Sequence, residues 1–230
     1  MPLSEQLTKI DTMGKRKKIN LDQLSESTAI LVRNNIKVLQ IHRFANDEFN
    51  HLKRLERWAE LPLGARVADL GCGVGEVART FKYLRPDLSF CLVNISEAQL
   101  LYADPTMQQY PCSFLDVPEP NESFDAVLFC FSIGHEDQDK AMAEAHRLLK
   151  TGGVLFIYDM VRKSGDNETM RDVSYTVWPR SHMESVAVGF NLDYYMEPSD
   201  DGSYGEEILG DDYQKVFNGT VPAIWRFIRN

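Results

Sequence analysis

The residues with the clearest chemical consequence in this chain are three glycines at alternate positions, in the run Val67-Ala-Asp69-Leu-Gly71-Cys72-Gly73-Val-Gly75-Glu76. Glycine lets the backbone turn sharply and approach a ligand with no Cβ between them. A helix that starts directly after such a turn presents free N–H groups to an anion. The dinucleotide-binding form of the turn carries its third glycine one residue later, where this chain has Glu76, and a carboxylate there opposes a pyrophosphate. The lysine of a triphosphate-binding loop is absent. Asp69, two residues before the first glycine, reads on its own as a carboxylate capping the turn.

A second group of ionisable side chains lies in Ser132-Ile-Gly-His135-Glu136-Asp137. An imidazole there suits proton transfer near neutral pH from an oxygen or nitrogen acceptor; packing of the ring against a ligand or lid is the alternative reading. Aromatic residues crowd the last third (Tyr158, Tyr175, Trp178, Tyr194, Tyr195, Tyr204, Tyr213 and Trp225), where they can line an apolar pocket or face a cation, although packing accounts for most of them. His42, His51, His146 and His182 have no partners at metal-ligand spacing, and the acidic stretch Asp200–Asp212 lacks the calcium-loop pattern, so no structural metal is expected. Cys72, Cys91, Cys112 and Cys130 form no C-x-x-C pair and are expected to be reduced thiols of a cytoplasmic protein.

The hydrophobic pattern supplies the elements that must hold these groups. Helical spacing predicts helices over 22–44 and, with Phe49, Leu52, Leu55 and Trp58 on one face, after a cap at Asn46 or Asp47. From Arg66 the pattern changes to short apolar strands alternating with helices. Strands are expected at 66–70, 89–94, 112–115, 124–131 and 154–159, and helices at 74–84, after the Ser96 cap, and at 138–149, closed by Gly152-Gly153. A helix at 181–188 ending at Gly189, a strand at 190–196 and a last strand at 223–228 complete the order. Such alternation means right-handed βαβ units and a parallel sheet covered on both faces. The expected division is an N-terminal helical lid or extension, 1–62, before a single α/β unit, 63–230.

The chain has 230 residues, 43% hydrophobic and 26% charged, enough to build a core without disulfides or metals. No apolar run approaches the ~20 residues of a membrane-spanning helix, the longest being Ala126–Phe131. The net charge of −9 disfavours a nucleic-acid backbone or an anionic membrane as default partner. It is unevenly spread: residues 1–60 sum to +3, 61–160 to −7 and 161–230 to −5. The basic run Lys15–Lys18 reads as a solvated tail, with pairing to a substrate phosphate as the alternative.

Taken in order, Asp69-Leu-Gly-Cys-Gly-Val-Gly75, Phe114-Leu-Asp116, Ser123-Phe-Asp125-Ala-Val and Leu148-Leu-Lys-Thr-Gly-Gly-Val154 resemble the motifs of the class I S-adenosylmethionine-dependent methyltransferases. The resemblance covers residues 64–160 closely. It implies a doubly wound, seven-stranded Rossmann-like sheet, mostly parallel with an antiparallel last strand, and S-adenosylmethionine as cofactor. By the same resemblance, Asp69 and the Gly71, Cys72, Gly73 and Gly75 backbone would hold the methionine portion. Asp116 would accept from the adenine amino group with Val117 beside the ring, and Cys130 and Phe131 would lie near the sulfonium. His135 would be a substrate-side group. One position departs from the common pattern, since the second strand ends in Asn94 where an acidic residue usually receives the ribose hydroxyls. The run Asn94-Ile95-Ser-Glu-Ala-Gln99 is similar to the sterol, prenyl-diphosphate and cyclopropane-forming branch, in which Asn94, Ile95 and Gln99 would share the ribose and adenine contacts.

The activity the resemblance implies is methyl transfer to carbon, oxygen or nitrogen of a small molecule, apolar or anionic. The Asn/Asp-Pro-Pro-aromatic signature of exocyclic-amine methylation is absent. Protein methylation and a non-catalytic cofactor-binding regulator remain as alternatives. A nicotinamide dehydrogenase is disfavoured by Glu76 and Asn94.

Overall fold

The computed structural model describes residues 48–165, 175–198 and 219–230. The predicted helix over 22–44, the Asn46/Asp47 cap, the Lys15–Lys18 run and the Asp200–Asp212 stretch lie outside them. Seven strands form one sheet: β1 (Arg66–Leu70), β2 (Ser89–Val93), β3 (Gln108–Tyr110), β4 (Phe124–Cys130), β5 (Leu149–Arg162), β6 (Phe190–Met196) and β7 (Thr220–Arg229), in the order β3-β2-β1-β4-β5-β7-β6. β1 to β5 pair in parallel, and β7 runs antiparallel to both β5 and β6. The expected doubly wound sheet with its antiparallel last strand is therefore the observed one.

Helices α1 (Glu48–Ala59) and α2 (Glu76–Leu84) cover one face, and α4 (Gln138–Leu148) and α5 (Arg180–Val186) the other; α3 (Glu97–Leu100) is a single turn. The strand period explains the two cores. Val67, Ala126, Leu128, Phe156 and Tyr158 face Leu52, Leu55, Val77 and Phe81, whereas Ala68, Leu70, Val127, Phe129 and Ile157 face Ala141, Met142, Ala145 and Leu148. Burial of successive residues in β4 is what a strand covered on both faces requires. α1 belongs to the sheet's own core. Its His51 ring meets Tyr158 edge-on at 5.5 Å, and Arg226 of β7 donates to the Trp58 carbonyl at 2.9 Å.

Two predicted elements are corrected. The third strand lies at Gln108–Tyr110; Cys112–Leu115, apolar enough to pass for a strand, is a turn in which the Leu115 N–H donates to Ser113 Oγ and the Asp116 N–H to the Ser113 carbonyl. Pro111-Cys112 accordingly follows β3. Gly152 and Gly153 do not end α4, which stops at Leu148; they lie within an irregular first stretch of β5, which pairs with β4 from Phe124↔Leu149 and shifts register before Ala126↔Val154.

Candidate active site

The glycine turn sits at the carboxyl ends of β1 and β2, held by the Gly71 and Cys72 N–H groups, which both donate to the Val93 carbonyl, at 2.8 and 3.1 Å. Gly71, Gly73 and Gly75 all have positive φ, a region favourable only to glycine, but their surroundings differ. A Cβ on Gly71 would overlap Ser132, and one on Gly75 would come 3.1 Å from both Ala103 and Leu92. A Cβ on Gly73 would meet nothing within 4 Å. Two of the glycines thus serve close packing of the chain on itself, and Gly73 alone borders open space, where a ligand backbone contact can form.

Asp69 lies beneath this turn, 1% exposed, and its Oδ2 has no hydrogen-bond partner among the described residues. Burial pushes its carboxyl up to about 7, opposed only by the Ala78 N–H at the start of α2. A buried carboxylate with one oxygen free costs folding free energy unless a cation or donor completes it. The ammonium of a bound amino-acid group is such a partner, so the residues present fit the methionine portion of the expected cofactor. Neighbouring Cys72 and Cys130 have thiols held well above their usual range by burial and by Asp69, and stay protonated. All four cysteines are free.

Asn94 directly follows β2 and is buried. Its Oδ1 accepts from the Gly73 N–H at 3.2 Å and its Nδ2 donates to Gln99 Oε1 at 2.7 Å and to the Ser96 carbonyl at 3.2 Å. Asn94 and Gln99 are thus joined directly, with Ser96 capping α3 through the Gln99 N–H and Ile95 largely exposed beside it. Because the same amide fixes the glycine turn, Asn94→Ala is expected to weaken S-adenosylhomocysteine binding by roughly 1–3 kcal/mol, measurable by calorimetry.

The two residues expected from the resemblance to contact the adenine separate. Asp116 is exposed, whereas Val117 is buried, donating its N–H to Glu144 Oε1 at 2.8 Å and accepting from Arg147 at 2.9 Å. The residue of this turn that reaches the glycine loop is Phe114, whose ring edge would lie 3.6 Å from a Gly71 Cβ. The sequence signal for Phe114 is its place just after β3, the strand that pairs with β2.

The carboxyl ends of β4 and β5 carry the remaining groups. Phe131 is held at φ 56, unusual for a bulky residue, by its N–H donating to the Tyr158 carbonyl at 2.8 Å and by its ring packing edge-on against Tyr158 at 5.0 Å. Ser132 Oγ donates to the Leu70 carbonyl at 2.6 Å, joining this loop to the glycine turn. A 3₁₀ turn, Ile133–His135, then presents His135 at the surface, edge-on to Tyr175 with ring centroids 4.7 Å apart. The residues singled out from the sequence lie at or after the carboxyl ends of β1, β2, β3 and β4, with Asp69, Asn94, Val117 and Phe131 buried and Ile95, Asp116 and His135 exposed.

Comparison with known proteins agrees with this arrangement: residues 68–157 match the family model described as a methyltransferase domain, a span that runs from β1 through the glycine turn to β5. This span is a class I S-adenosylmethionine-dependent methyltransferase domain. Among curated relatives, the 25S rRNA (adenine(645)-N(1))-methyltransferase of Schizosaccharomyces pombe is 29% identical over 44% of this chain and 29% of its own length. The sterol 24-C-methyltransferase of Debaryomyces hansenii is 27% identical over 59% of this chain and 42% of its own. The chain spans less than half the length of either. A solved geranyl diphosphate C-methyltransferase from Streptomyces coelicolor superposes with a TM-score of 0.70 at 12% identity, covering 100% of this chain and 99% of that one. A solved geranyl diphosphate methyltransferase in complex with S-adenosylmethionine superposes with a TM-score of 0.70 at 13% identity, covering 80% of this chain and 86% of that one. Among the described residues of this chain no helix is long and apolar enough to cross a membrane, and no group of His, Cys, Asp and Glu is arranged to hold a metal ion.

Proposed function

We propose that this chain methylates a small molecule held over the carboxyl ends of β4 and β5. When bound, S-adenosylmethionine supplies an electrophilic methyl group on a positively charged sulfur. Asp69 would hold the cofactor's ammonium, the Gly73 main chain and the Asn94–Gln99 pair its middle, and Phe114 with Ile95 the flat face of its base. The Cys130–Phe131 corner would border the sulfonium end. His135 would take the acceptor's proton where the acceptor is a hydroxyl or an amine, and the edge contact with Tyr175 keeps its ring at the mouth of the site.

The observation that supports a small acceptor is the charge of the rim. Among the described residues, Glu97, Glu136, Asp137 and Asp139 follow the carboxyl ends of β2 and β4 with Lys140 beside them, while Arg162 and Lys163 stand at the end of β5, Lys163 paired with Glu197 at 2.8 Å. A protein that grips a polynucleotide does so through Lys and Arg set against phosphates, and an acidic rim repels one. The second reading, an RNA acceptor, draws on the rRNA methyltransferase relative. Transfer of a labelled methyl group into a cell extract, followed by separation of metabolites, RNA and protein, tests both. Label in the metabolite fraction is expected, and label confined to RNA or protein overturns the proposal. With the acceptor in hand, His135→Ala is expected to lower turnover by about 10²–10⁴-fold while leaving the melting temperature unchanged. Undiminished turnover would remove the base role.

A further inference from the structure

Asp159 takes no part in the reading above, and Tyr175 enters it only through its edge contact with His135. Asp159, on β5, is 2% exposed. Its Oδ1 accepts the Tyr175 phenol O–H and, at 2.7 Å, the Met160 N–H, while its Oδ2 has no hydrogen bond of ordinary geometry among the described residues. Burial pushes this carboxyl up to about 6, and the Tyr175 bond with the Met160, Ile133 and Ser132 N–H groups draws it back down. The carboxylate therefore faces the loop after β4 on one side and Tyr175 on the other. Tyr175 is itself buried, and burial beside Asp159 holds its phenol well above the usual range, so it remains the donor.

Residues 175–178 lie along the same loop. The Thr176 N–H donates to the Gly134 carbonyl at 2.8 Å, and the Val177 and Trp178 carbonyls accept from Arg162, at 3.2 Å from Nε and 3.0 Å from N. Gly134 is glycine because a Cβ there would come 2.5 Å from the Tyr175 ring. On its far side the loop touches the cofactor turn through Ser132 and Leu70, and it contains Phe131 in its left-handed conformation. A main chain held in that region persists only where its surroundings fix it.

We propose that the Tyr175–Asp159 pair is a positioning device that clasps the loop Phe131–His135, fixing the main chain that backs the glycine turn and carries His135. The functional part of this inference rests on the cofactor site proposed above. Its test uses the full chain with Tyr175→Phe, Asp159→Asn and the double variant, read by hydrogen exchange, by the NMR resonance of the His135 ring and by calorimetry with S-adenosylhomocysteine. In Tyr175→Phe, exchange at Ile133–His135 and Thr176 is expected to speed up about tenfold or more, with β1 and β2 unchanged. The His135 resonance moves as the ring current of residue 175 shifts away, and the dissociation constant rises about three- to tenfold. Asp159→Asn gives the same local pattern in milder form, because an amide oxygen accepts the phenol O–H without the carboxylate's charge, and the double variant is no worse than Tyr175→Phe alone. Wild-type exchange and an unmoved His135 resonance in Tyr175→Phe would overturn the clasp. So would acceleration spread evenly over the sheet, which marks plain structural loss. Failure of the wild type to bind S-adenosylhomocysteine would instead overturn the cofactor reading, with the exchange pattern still deciding whether the clasp exists.

Discussion

Asp69→Asn is expected to raise the melting temperature of the ligand-free protein at pH 8 and to weaken its binding of S-adenosylhomocysteine by about 10–100-fold. Both effects come from one oxygen. In the ligand-free fold Asp69 is buried with Oδ2 unpartnered, and its carboxyl is raised from 3.8 to about 7. A group that titrates higher in the fold than in the unfolded chain favours folding below its unfolded value and loses that advantage as pH rises through its folded one. Stability of the ligand-free protein should therefore decline between about pH 4 and pH 7 on account of this residue, by an amount on the order of 4 kcal/mol. Asparagine removes the buried charge but leaves an unpaired amide costing about 1–3 kcal/mol, so a net gain of a few degrees remains for a chain this long.

The ligand reverses the balance. An ammonium against the carboxylate contributes a charge-assisted hydrogen bond of about 1.5–3 kcal/mol, which the amide cannot match. Binding that requires the ionised carboxylate should also weaken as pH falls below about 7, approaching tenfold per unit, in the wild type and not in the variant. Thermal melts across pH without ligand, and calorimetry at pH 6, 7 and 8, check both halves. Wild-type affinity in Asp69→Asn would remove this residue from the site.

The same residue shows how far the sequence could be read. That Asp69 ends a strand before a glycine turn follows from local pattern alone, and so do the strand-turn-helix around it and the Ser96 cap. That its Oδ2 is orphaned follows from what packs over it, which no local window contains. β3 was misplaced for a related reason. Its residues Gln108-Gln-Tyr110 are polar because it is a three-residue edge strand with one partner, while the apolar run after it is buried by other elements. The clasp between Asp159 and Tyr175 joins residues 16 apart, and the spacing of the two carries no signal. Phe114 and Asp116 belong to one motif in the sequence, and only the turn shows that the first is buried and the second exposed.

Gly71 and Gly73 look equivalent in the sequence, and their alanine variants are expected to fail in different ways. Both have positive φ, so a Cβ adds about 1–2 kcal/mol of backbone strain at either position. At Gly73 nothing lies within 4 Å of the added methyl. Gly73→Ala should therefore lower the melting temperature by only a few degrees, while the methyl projects into the space the cofactor needs and reduces S-adenosylhomocysteine affinity about 100-fold or more. At Gly71 the methyl overlaps Ser132, which cannot retreat while its Oγ is bonded to the Leu70 carbonyl. Overpacking of about 1–3 kcal/mol then adds to the strain, a large part of the 5–15 kcal/mol that holds a typical domain together. Gly71→Ala should melt about 5–15 °C lower, and adding Ser132→Gly should recover part of that loss by clearing the overlap at the expense of one hydrogen bond. Thermal melts and calorimetry on the three variants separate the cases. Retained affinity in Gly73→Ala would place the ligand elsewhere than over Gly73, and a Gly71→Ala protein as stable as Gly73→Ala would show that the loop after β4 is free to move away from the turn.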